Sequence, residues 1–251
     1  MTGCPQTPEA TKALLERIAF IQHTHYGGFW DFTTSSIPTD TAYTNKALAV
    51  HNDTTYLTQP CGLQMFHLLS HEDGDGGESL FVDGYAAAAH LQDTAPSYFD
   101  ALTQTPIAYH ASGNPKIGEL DNLARSAEGS SVIETHSKTT TSTVRDKPML
   151  IRWNNYDRAT QHWDSNESLK KWYTAANAWS DILKKKKFEI RLQLQPGVPI
   201  IFDNWRYLHG RTAFTGKRRI CGGYSEKSSP HPSSWCAFYN VFKLSKTFCC
   251  T

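Results

Sequence analysis

Three features are scarce in this 251-residue sequence, and each scarcity excludes a class of protein. No run of about 18 apolar residues is present, so the sequence offers no candidate transmembrane helix. The 25 Lys and Arg residues nearly balance the 24 Asp and Glu residues, which leaves no broad basic field for nucleic acid or anionic lipid. We therefore expect a small-molecule partner, with no nucleic acid and no membrane.

The scarcity of paired cysteines gives the third exclusion, which concerns the compartment. They stand at positions 4, 61, 221, 236, 249 and 250, without a CxxC pair or a disulfide-dense spacing. This usage fits a reducing, intracellular environment. The first residues form neither a basic nor an apolar leader, so the chain as written is expected to be cytoplasmic, or mitochondrial if a transit peptide precedes it in a longer gene. A homodimer is compatible with the sequence.

The hydrophobic pattern predicts one β-rich domain with a few helices. Residues 8–22 have helical spacing behind a candidate N-cap at Thr7, and a second helix begins near residues 164–166. Strands are predicted from Gly62, over residues 79–82 and over residues 198–202. Residues 126–147 are rich in Ser and Thr and are predicted to form a long surface loop. Metal ligands at strand ends favour a jelly-roll or cupin-like β-barrel.

The candidate ligands are His51 and Asp53, followed about 156 positions later by His209. Residues two apart on an extended chain project to the same face, so His51 and Asp53 can reach one ion together. Two imidazoles and one carboxylate can hold one face of an octahedral Fe(II) and leave positions open for a co-substrate and dioxygen, as in an oxygenase. The isolated pattern is weak, and the competing histidines are His67, His71, His110, His136 and His162.

An arginine cluster follows His209 and strengthens the prediction of an oxygenase. Arg211, Arg218 and Arg219 lie within ten residues, on or beside a predicted strand. An arginine fork offers paired parallel donors, which suit a terminal carboxylate. A dicarboxylate that chelates iron through one end and needs a cation at the other would fit this arrangement.

Four ordered motifs carry a specific resemblance. They are YGGFW (26–30), GGESLFVDG (76–84), RWNNYDR (152–158) and FDNWRYLHGR (202–211), with shorter matches at 40–44, 51–56 and 59–62. The chain resembles the Fe(II)/2-oxoglutarate-dependent oxygenases of carnitine biosynthesis, the trimethyllysine dioxygenases more than the γ-butyrobetaine dioxygenases, which are related to taurine dioxygenase. The resemblance implies a double-stranded β-helix, mainly β with flanking α-helices, and Fe(II), 2-oxoglutarate, O2 and ascorbate as cofactors, co-substrates and reductant.

The resemblance also implies roles for individual residues. His51, Asp53 and His209 would hold the iron, and Arg218, Ser79 and Arg211 would bind 2-oxoglutarate. The residues that would contact substrate are Tyr26, Trp30, Asp40, Tyr43, Asn154 and Tyr224. Four of these are aromatic, which suits a quaternary ammonium that has no N–H donor. Asp40 would accept a hydrogen bond from a substrate α-ammonium, a group that γ-butyrobetaine lacks.

The implied activity is hydroxylation of Nε-trimethyllysine at C3, the first step of carnitine biosynthesis. The alternatives are γ-butyrobetaine hydroxylation and a truncated, catalytically silent binding module. Three regions are expected: residues 1–25 as an N-terminal helix, a remnant that precedes the catalytic domain; residues 26–224 as the dioxygenase domain; and residues 225–251 as a divergent C-terminal tail.

Overall fold

The structure is a computed structural model that describes residues 2–24, 26–34, 44–111, 125–135 and 147–227. Four α-helices and twelve strands lie in these ranges. The helices are α1 (Pro8–Ile18), α2 (Gly84–Thr94), α3 (Pro96–Gln104) and α4 (Asn166–Leu183). The strands are β1 (Phe29–Thr33), β2 (Leu48–His51), β3 (Leu63–Glu72), β4 (Ser79–Asp83), β5 (Ile107–Ala111), β6 (Arg125–Ser130), β7 (Ile133–Thr135), β8 (Pro148–Ile151), β9 (Glu189–Leu192), β10 (Ile200–Asp203), β11 (Tyr207–Arg211) and β12 (Lys217–Ser225).

Eight strands form two four-stranded antiparallel sheets. One sheet has the order β1-β12-β3-β10 and the other the order β2-β11-β4-β9. Aromatic rings pack between the sheets, with Phe81 of β4 against Phe202 of β10 at 4.9 Å between ring centroids. Two antiparallel sheets packed face to face form a jelly roll. The predicted double-stranded β-helix with flanking helices is therefore confirmed.

Helices cover the outer face of the β2-β11-β4-β9 sheet. Side chains alternate along β4, so Phe81 points toward the other sheet while Val82 joins a cluster with residues of α2, α3 and α4. The largest members of this cluster are Trp172 and Trp179 of α4, which are almost fully buried. Helix α4 begins at a capping box formed by Ser165 and Ser168, close to the predicted start.

Helix α1 packs against the other sheet. Thr7 is its N-cap, as predicted, and accepts a hydrogen bond from the backbone N–H of Ala10. Leu15 is fully buried and clusters with Met65 of β3. The helix ends at Ile18, four residues earlier than predicted. The division of the chain at residue 25 stays a prediction.

A buried histidine joins α1 to this sheet. The Thr11 hydroxyl donates to the Thr7 carbonyl oxygen at 2.8 Å, so Nδ1–H of His67 is the donor in its 2.6 Å contact with Thr11. Nε2 of His67 accepts from the backbone N–H of Gly197 at 3.1 Å. Both ring nitrogens are therefore used by the neutral imidazole. Burial lowers the pKa of His67.

This geometry predicts a pH-dependent stability. Because the folded-state pKa of His67 lies below its unfolded value, its contribution is fully present above about pH 6.5 and is lost as the pH falls from there toward the folded pKa. We expect the wild-type free energy of unfolding, measured with urea between pH 7.5 and 5, to fall more steeply than that of His67→Gln. Equal slopes in the two proteins would contradict this account, and His71→Gln, which alters a histidine with a solvent-facing contact, is the control.

Two parts of the sequence differ from expectation. The predicted loop 126–147 is wrong where the structure describes it, because residues up to 130 belong to β6 and β7 covers Ile133–Thr135. Hydrogen bonds to neighbouring strands hold these residues in strands, although the segment is polar and its sequence has no clear hydrophobic period. Apolar residues alternate with polar ones over residues 188–194, which predicts a strand with one buried face. The structure has β9 there, but Ile190 and Leu192 are about 40% exposed at a sheet edge. Among the described helices, none is long and apolar enough to cross a bilayer.

Candidate active site

Two neighbouring strands bring the predicted metal ligands together. His51 is the last residue of β2 and pairs directly with His209 of β11. Their rings lie 4.6 Å apart between centroids. Asp53 follows two residues after His51, where β2 has ended and the chain turns. Sheet pairing thus brings together two histidines that are far apart in sequence, at positions 51 and 209.

The three side chains form a compact donor set. Nε2 of His51 lies 3.3 Å from Oδ1 of Asp53, and Nε2 of His209 lies 3.6 Å from Oδ2 of the same carboxylate. One ligand atom from each residue lies within 4.8 Å of the other two. Nδ1–H of His51 donates to the Ala49 carbonyl oxygen at 2.8 Å, which leaves the Nε2 lone pair directed at the cluster.

The electrostatics leave this site ready for a cation. Burial alone would raise the pKa of Asp53, but the two imidazoles and the Tyr224 hydroxyl outweigh burial and hold that pKa well below its usual range. Burial lowers the pKa of His209 to about 3. At neutral pH Asp53 is therefore a carboxylate and His209 a neutral imidazole, the forms that bind a metal. Burial would lower the pKa of His51, but the hydrogen bond and charge of Asp53 outweigh it and raise that pKa, so a metal would compete with a proton at His51.

A buried amide network fixes the backbone of Asp53. The Asn204 side chain accepts from the backbone N–H of Asp53 at 3.0 Å and donates to its carbonyl oxygen at 3.1 Å. Asn52 points away from the ligands, as predicted, and donates to the Asn204 carbonyl oxygen at 2.6 Å. Asn204 and Asn52 are both almost fully buried. The metal loop is therefore held by hydrogen bonds to the segment just before β11.

Arg152 holds the residues that follow Asp53. Its guanidinium is 1% exposed and donates to the carbonyl oxygens of Thr55 at 2.6 Å and Leu57 at 2.7 Å. It also pairs with Glu134 at 3.0 Å. The first arginine of the RWNNYDR motif is thus a structural clamp beside the site.

Arg218 is a buried cation without an anion. Its side chain lies on β12 and is 2% exposed, and burial lowers its pKa to about 10. Within the described part of the chain, no carboxylate lies within ion-pair distance of its guanidinium, and its Nε has no hydrogen-bond partner. Its nearest ring is Phe214, at 5.6 Å from guanidinium carbon to centroid. An uncompensated buried charge is unfavourable, so this site suits an anionic ligand.

Arg211 and Ser79 lie opposite each other on neighbouring strands. They are paired in the register of β11 and β4, and both are buried. The Arg211 guanidinium donates to the carbonyl oxygens of Thr44 at 2.6 Å and Lys46 at 3.0 Å. Burial, together with the charge of Arg218, lowers its pKa to about 10. Arg211 thus fixes the backbone before β2 and adds positive potential to the same pocket.

Aromatic side chains line the wall made by β1 and β12. Trp30 of β1 lies across from Gly222 of β12, and a Cβ at Gly222 would come within 2.5 Å of the Trp30 ring. The absence of a side chain at Gly222 therefore lets the indole lie across the strand. The Tyr224 ring lies 6.5 Å from that of Trp30 between centroids.

Tyr224 has a second contact that its predicted substrate role does not include. Its hydroxyl donates to Oδ2 of Asp53 at 2.8 Å, and the Gln64 amide donates to the same oxygen at 2.7 Å. Burial and the charge of Asp53 raise the pKa of Tyr224 well above its ordinary value, so it remains a donor. The two donors orient the carboxylate relative to the imidazoles.

Two variants can separate the contribution of the Tyr224 hydroxyl to metal binding from the contribution of its ring to substrate binding. We expect Tyr224→Phe to weaken metal affinity about 10- to 100-fold, as loss of a supporting hydrogen bond does, without weakening substrate binding. Tyr224→Leu should also weaken binding of a quaternary ammonium, because the ring face is lost. Metal titration and substrate calorimetry on both variants give the comparison. Equal metal affinities in Tyr224→Phe and wild type would show that the hydroxyl has no such function.

One cavity of about 210 Å³ gathers the predicted residues. All ten that the structure describes line it: His51, Asp53, His209, Arg218, Ser79, Arg211, Tyr26, Trp30, Asn154 and Tyr224. Asp40 and Tyr43 lie outside the described residues. Sequence reasoning missed Gln64, Tyr156 and Asp157, which also line the cavity. Tyr156 and Asp157 stand in the RWNNYDR motif beside Asn154, and that proximity was the available signal.

The competing histidines do not join this cluster. His67 serves the packing of α1, and Nε2 of His71 contacts the Thr215 carbonyl oxygen at 2.8 Å. The described residues contain one group with the ligand geometry of a metal site, and neither these two nor His110 nor His162 belongs to it. His136 lies outside the described residues.

Comparison with known proteins gives consistent similarities. The model of the family described as "Taurine catabolism dioxygenase TauD, TfdA family" matches residues 1–224. Trimethyllysine dioxygenase of Neurospora crassa is 42% identical, over 86% of this chain and 50% of that protein. Mitochondrial trimethyllysine dioxygenase of Homo sapiens is 40% identical, over 88% of this chain and 50% of that protein. This chain therefore spans about half the length of these curated relatives.

Two more distant proteins complete the comparison. γ-Butyrobetaine dioxygenase of Homo sapiens is 28% identical, over 90% of this chain and 56% of that protein. The crystal structure of a taurine dioxygenase from Burkholderia xenovorans superposes with a TM-score of 0.59 at 12% identity, over 91% of this chain and 76% of that one. At such low identity the superposition supports the jelly-roll fold alone.

Proposed function

This chain belongs to the taurine catabolism dioxygenase (TauD, TfdA) family, and from that premise we propose that it is an Fe(II)- and 2-oxoglutarate-dependent hydroxylase of trimethyllysine. The observation that carries the proposal is the content of one cavity. A two-histidine, one-carboxylate cluster and a buried arginine that has no acidic partner among the described residues line the same space. A metal alone would explain the first feature, whereas a metal-chelating dicarboxylate explains both.

The donor set fits ferrous iron. Two imidazoles and one carboxylate on one side of a cavity are the ligands of non-haem Fe(II) oxygenases. His51 is held in the tautomer that directs a lone pair at the cluster, and Tyr224 and Gln64 orient the carboxylate of Asp53. The pocket beside the cluster fits the distal carboxylate of 2-oxoglutarate, which the Arg218 guanidinium would bind while Ser79 lies nearby on β4.

Iron with 2-oxoglutarate and O2 would supply the oxidant, yielding hydroxylated substrate, succinate and CO2. The chain's contribution is to bind, orient and exclude water. Trp30, Tyr26 and Tyr224 present aromatic faces suited to a trimethylammonium group. Asn154 lines the cavity with an amide suited to the other polar end of the substrate. Held at both ends, the substrate would present one carbon to the metal.

The proposal also covers the catalytic domain, the reductant and the location. Residues 26–224 would form the catalytic domain, and ascorbate would keep the iron ferrous. Several trimethyllysine dioxygenases are named as mitochondrial, and a mitochondrial location is proposed here on that ground. Asp40 and Tyr43, outside the described residues, remain proposed substrate contacts.

Incubation with Fe(II), ascorbate and 2-oxoglutarate tests the function directly. Purified protein should form succinate and hydroxytrimethyllysine in equal amounts when trimethyllysine is added. Folded, iron-loaded protein that forms no substrate-dependent succinate would contradict the enzymatic proposal and favour a silent binding module. Faster turnover of γ-butyrobetaine than of trimethyllysine would replace the proposed substrate.

A further inference from the structure

A short turn after β8 forms one polar wall of the cavity. Asn154, Tyr156 and Asp157 all line the cavity. The backbone N–H of Asp157 donates to the Asn154 carbonyl oxygen at 3.3 Å, which closes the turn. The turn is anchored beside the metal loop, because the backbone N–H of Asn52 donates to the Trp153 carbonyl oxygen at 2.8 Å. Residues three apart in sequence are thereby presented to the same space.

One end of the Asn154 side-chain amide, its oxygen, is already hydrogen-bonded within the protein. Its Oδ1 accepts from the backbone N–H of Tyr156 at 3.0 Å, and this contact fixes which end of the amide is oxygen. In the described part of the chain, no acceptor lies within hydrogen-bonding distance of its Nδ2. Asn154 therefore offers a ligand an N–H donor, which suits a carboxylate.

Asp157 brings a carboxylate to the same cavity. The Thr55 hydroxyl donates to Oδ2 of Asp157 at 2.6 Å, and the backbone N–H of His110 donates to the Asp157 carbonyl oxygen at 2.8 Å. These contacts fix the residue from two sides. The carboxylate is only partly buried and borders the cavity, so it can meet a cationic group there.

We propose that Asp157 is a specificity residue that binds the α-ammonium of an amino-acid substrate while Asn154 binds its α-carboxylate. This inference rests on the proposed function. The two groups of an amino-acid head stand on one carbon, so their donor and acceptor must come from neighbouring positions, as this turn provides. The aromatic wall of β1 and β12 belongs to one of the two four-stranded sheets, and Tyr224 of that wall donates to Asp53. The turn after β8 is joined to the same metal loop by the hydrogen bond from Asn52 to Trp153. A long cationic amino acid spanning the cavity would pass the metal.

The same carboxylate would discriminate against a substrate without an α-ammonium. γ-Butyrobetaine would bring only a carboxylate to this turn, and Asp157 would repel it. Specificity of this kind combines attraction for one ligand with repulsion of another. Removal of the charge should therefore move the two affinities in opposite directions.

The test compares Asp157→Asn with wild type on two ligands. The amide keeps an acceptor for the Thr55 hydroxyl and removes the charge. We expect KM and the calorimetric Kd for trimethyllysine to rise about 10- to 100-fold, the range for a hydrogen bond to a charged group. For 6-(trimethylammonio)hexanoate, which lacks the α-ammonium, both should stay constant or fall. A parallel loss for both ligands, or no change for trimethyllysine, would overturn the inference.

Two variants separate a structural effect from recognition. Thr55→Val removes the hydrogen bond to Asp157 but keeps the charge, so it should keep the preference for trimethyllysine over 6-(trimethylammonio)hexanoate. Asp157→Ser also removes the charge and keeps an oxygen as a partner for Thr55, so it gives the same comparison if Asp157→Asn fails to fold. Asp40→Asn tests the other acid: a selective loss there, with none in Asp157→Asn, would assign the α-ammonium to Asp40.

The outcome is distinguishable from failure of the proposed function. Binding is measured by calorimetry without oxygen, with Mn(II) in place of iron and with 2-oxoglutarate present, so it requires no turnover. If wild-type protein binds trimethyllysine selectively but does not hydroxylate it, the Asp157 inference would stand and the enzymatic proposal would be contradicted. If wild-type protein turns over γ-butyrobetaine and binds no amino acid, both the inference and the proposed substrate would be contradicted, while the oxygenase activity would stand.

Discussion

Arg218→Met is expected to weaken 2-oxoglutarate binding by at least about 30-fold without destabilising the unliganded protein. The guanidinium is 2% exposed and has no carboxylate within ion-pair distance among the described residues, so it gains its partner only when an anion binds. Removal of one member of a buried charge pair typically costs about 2–5 kcal/mol, which gives the lower limit stated. Replacement of a buried charge by an apolar side chain of similar length is often neutral or stabilising.

The adjacent arginine provides the control. Arg219 is exposed and pairs with Asp31, with 3.0 Å between Nε and Oδ1, so Arg219→Gln removes a positive charge at the next position without altering the cavity. Thermal unfolding with and without 2-oxoglutarate, together with calorimetric Kd, reports both effects. If Arg218→Met is clearly less stable than wild type without ligand, or binds 2-oxoglutarate normally, Arg218 has a structural function.

The sequence predicted those residues of the site whose side-chain types indicate their function, namely imidazole and carboxylate ligands for a metal and an arginine for a carboxylate. The spacing of two predicted that His51 and Asp53 could reach one ion, although Asp53 lies in the turn after β2 and not on an extended strand. The resemblance selected His209 and Arg218 from the competing histidines and arginines. The structure adds the reason these meet: β11 pairs with β2, and β12 lies in the opposing sheet. Alternation and caps predicted α1, α4, β3 and β4 because those signals are local.

The parts that could not be predicted depend on contacts between distant segments. The Tyr224 hydroxyl reaches Asp53 from 171 residues away, and Asn204 clamps the same residue from 151 residues away. No local pattern distinguishes a tyrosine that lines a cage from one that orients a carboxylate. The strands within residues 126–135 were missed for the same reason, since their partners in β5 and β8 stabilise a polar segment that has weak preferences of its own.

His209→Ala is expected to reduce turnover by at least about 1000-fold and to abolish tight iron binding. Loss of a group that only supports a metal ligand reduces affinity or activity about 10- to 100-fold, and loss of the ligand itself should exceed that range. The imidazole is buried between Phe66 and Phe202, at 5.4 and 5.2 Å between ring centroids, so another side chain has little room to replace it. Metal content after reconstitution and the rate of succinate formation are the two measurements.

His162→Ala is the matched control, because His162 is exposed and lies outside the metal cluster. Loss of a buried imidazole also leaves a void, so the unfolding midpoint of each variant must be measured without metal. The decisive comparison uses folded protein at a temperature well below both midpoints. If folded His209→Ala still takes up one equivalent of iron and forms succinate at more than about a tenth of the wild-type rate, then His51 and Asp53 hold the metal with a different third ligand. That result would show that β11 supplies no metal ligand. The expected loss of iron and activity would instead place the metal where β2 pairs with β11.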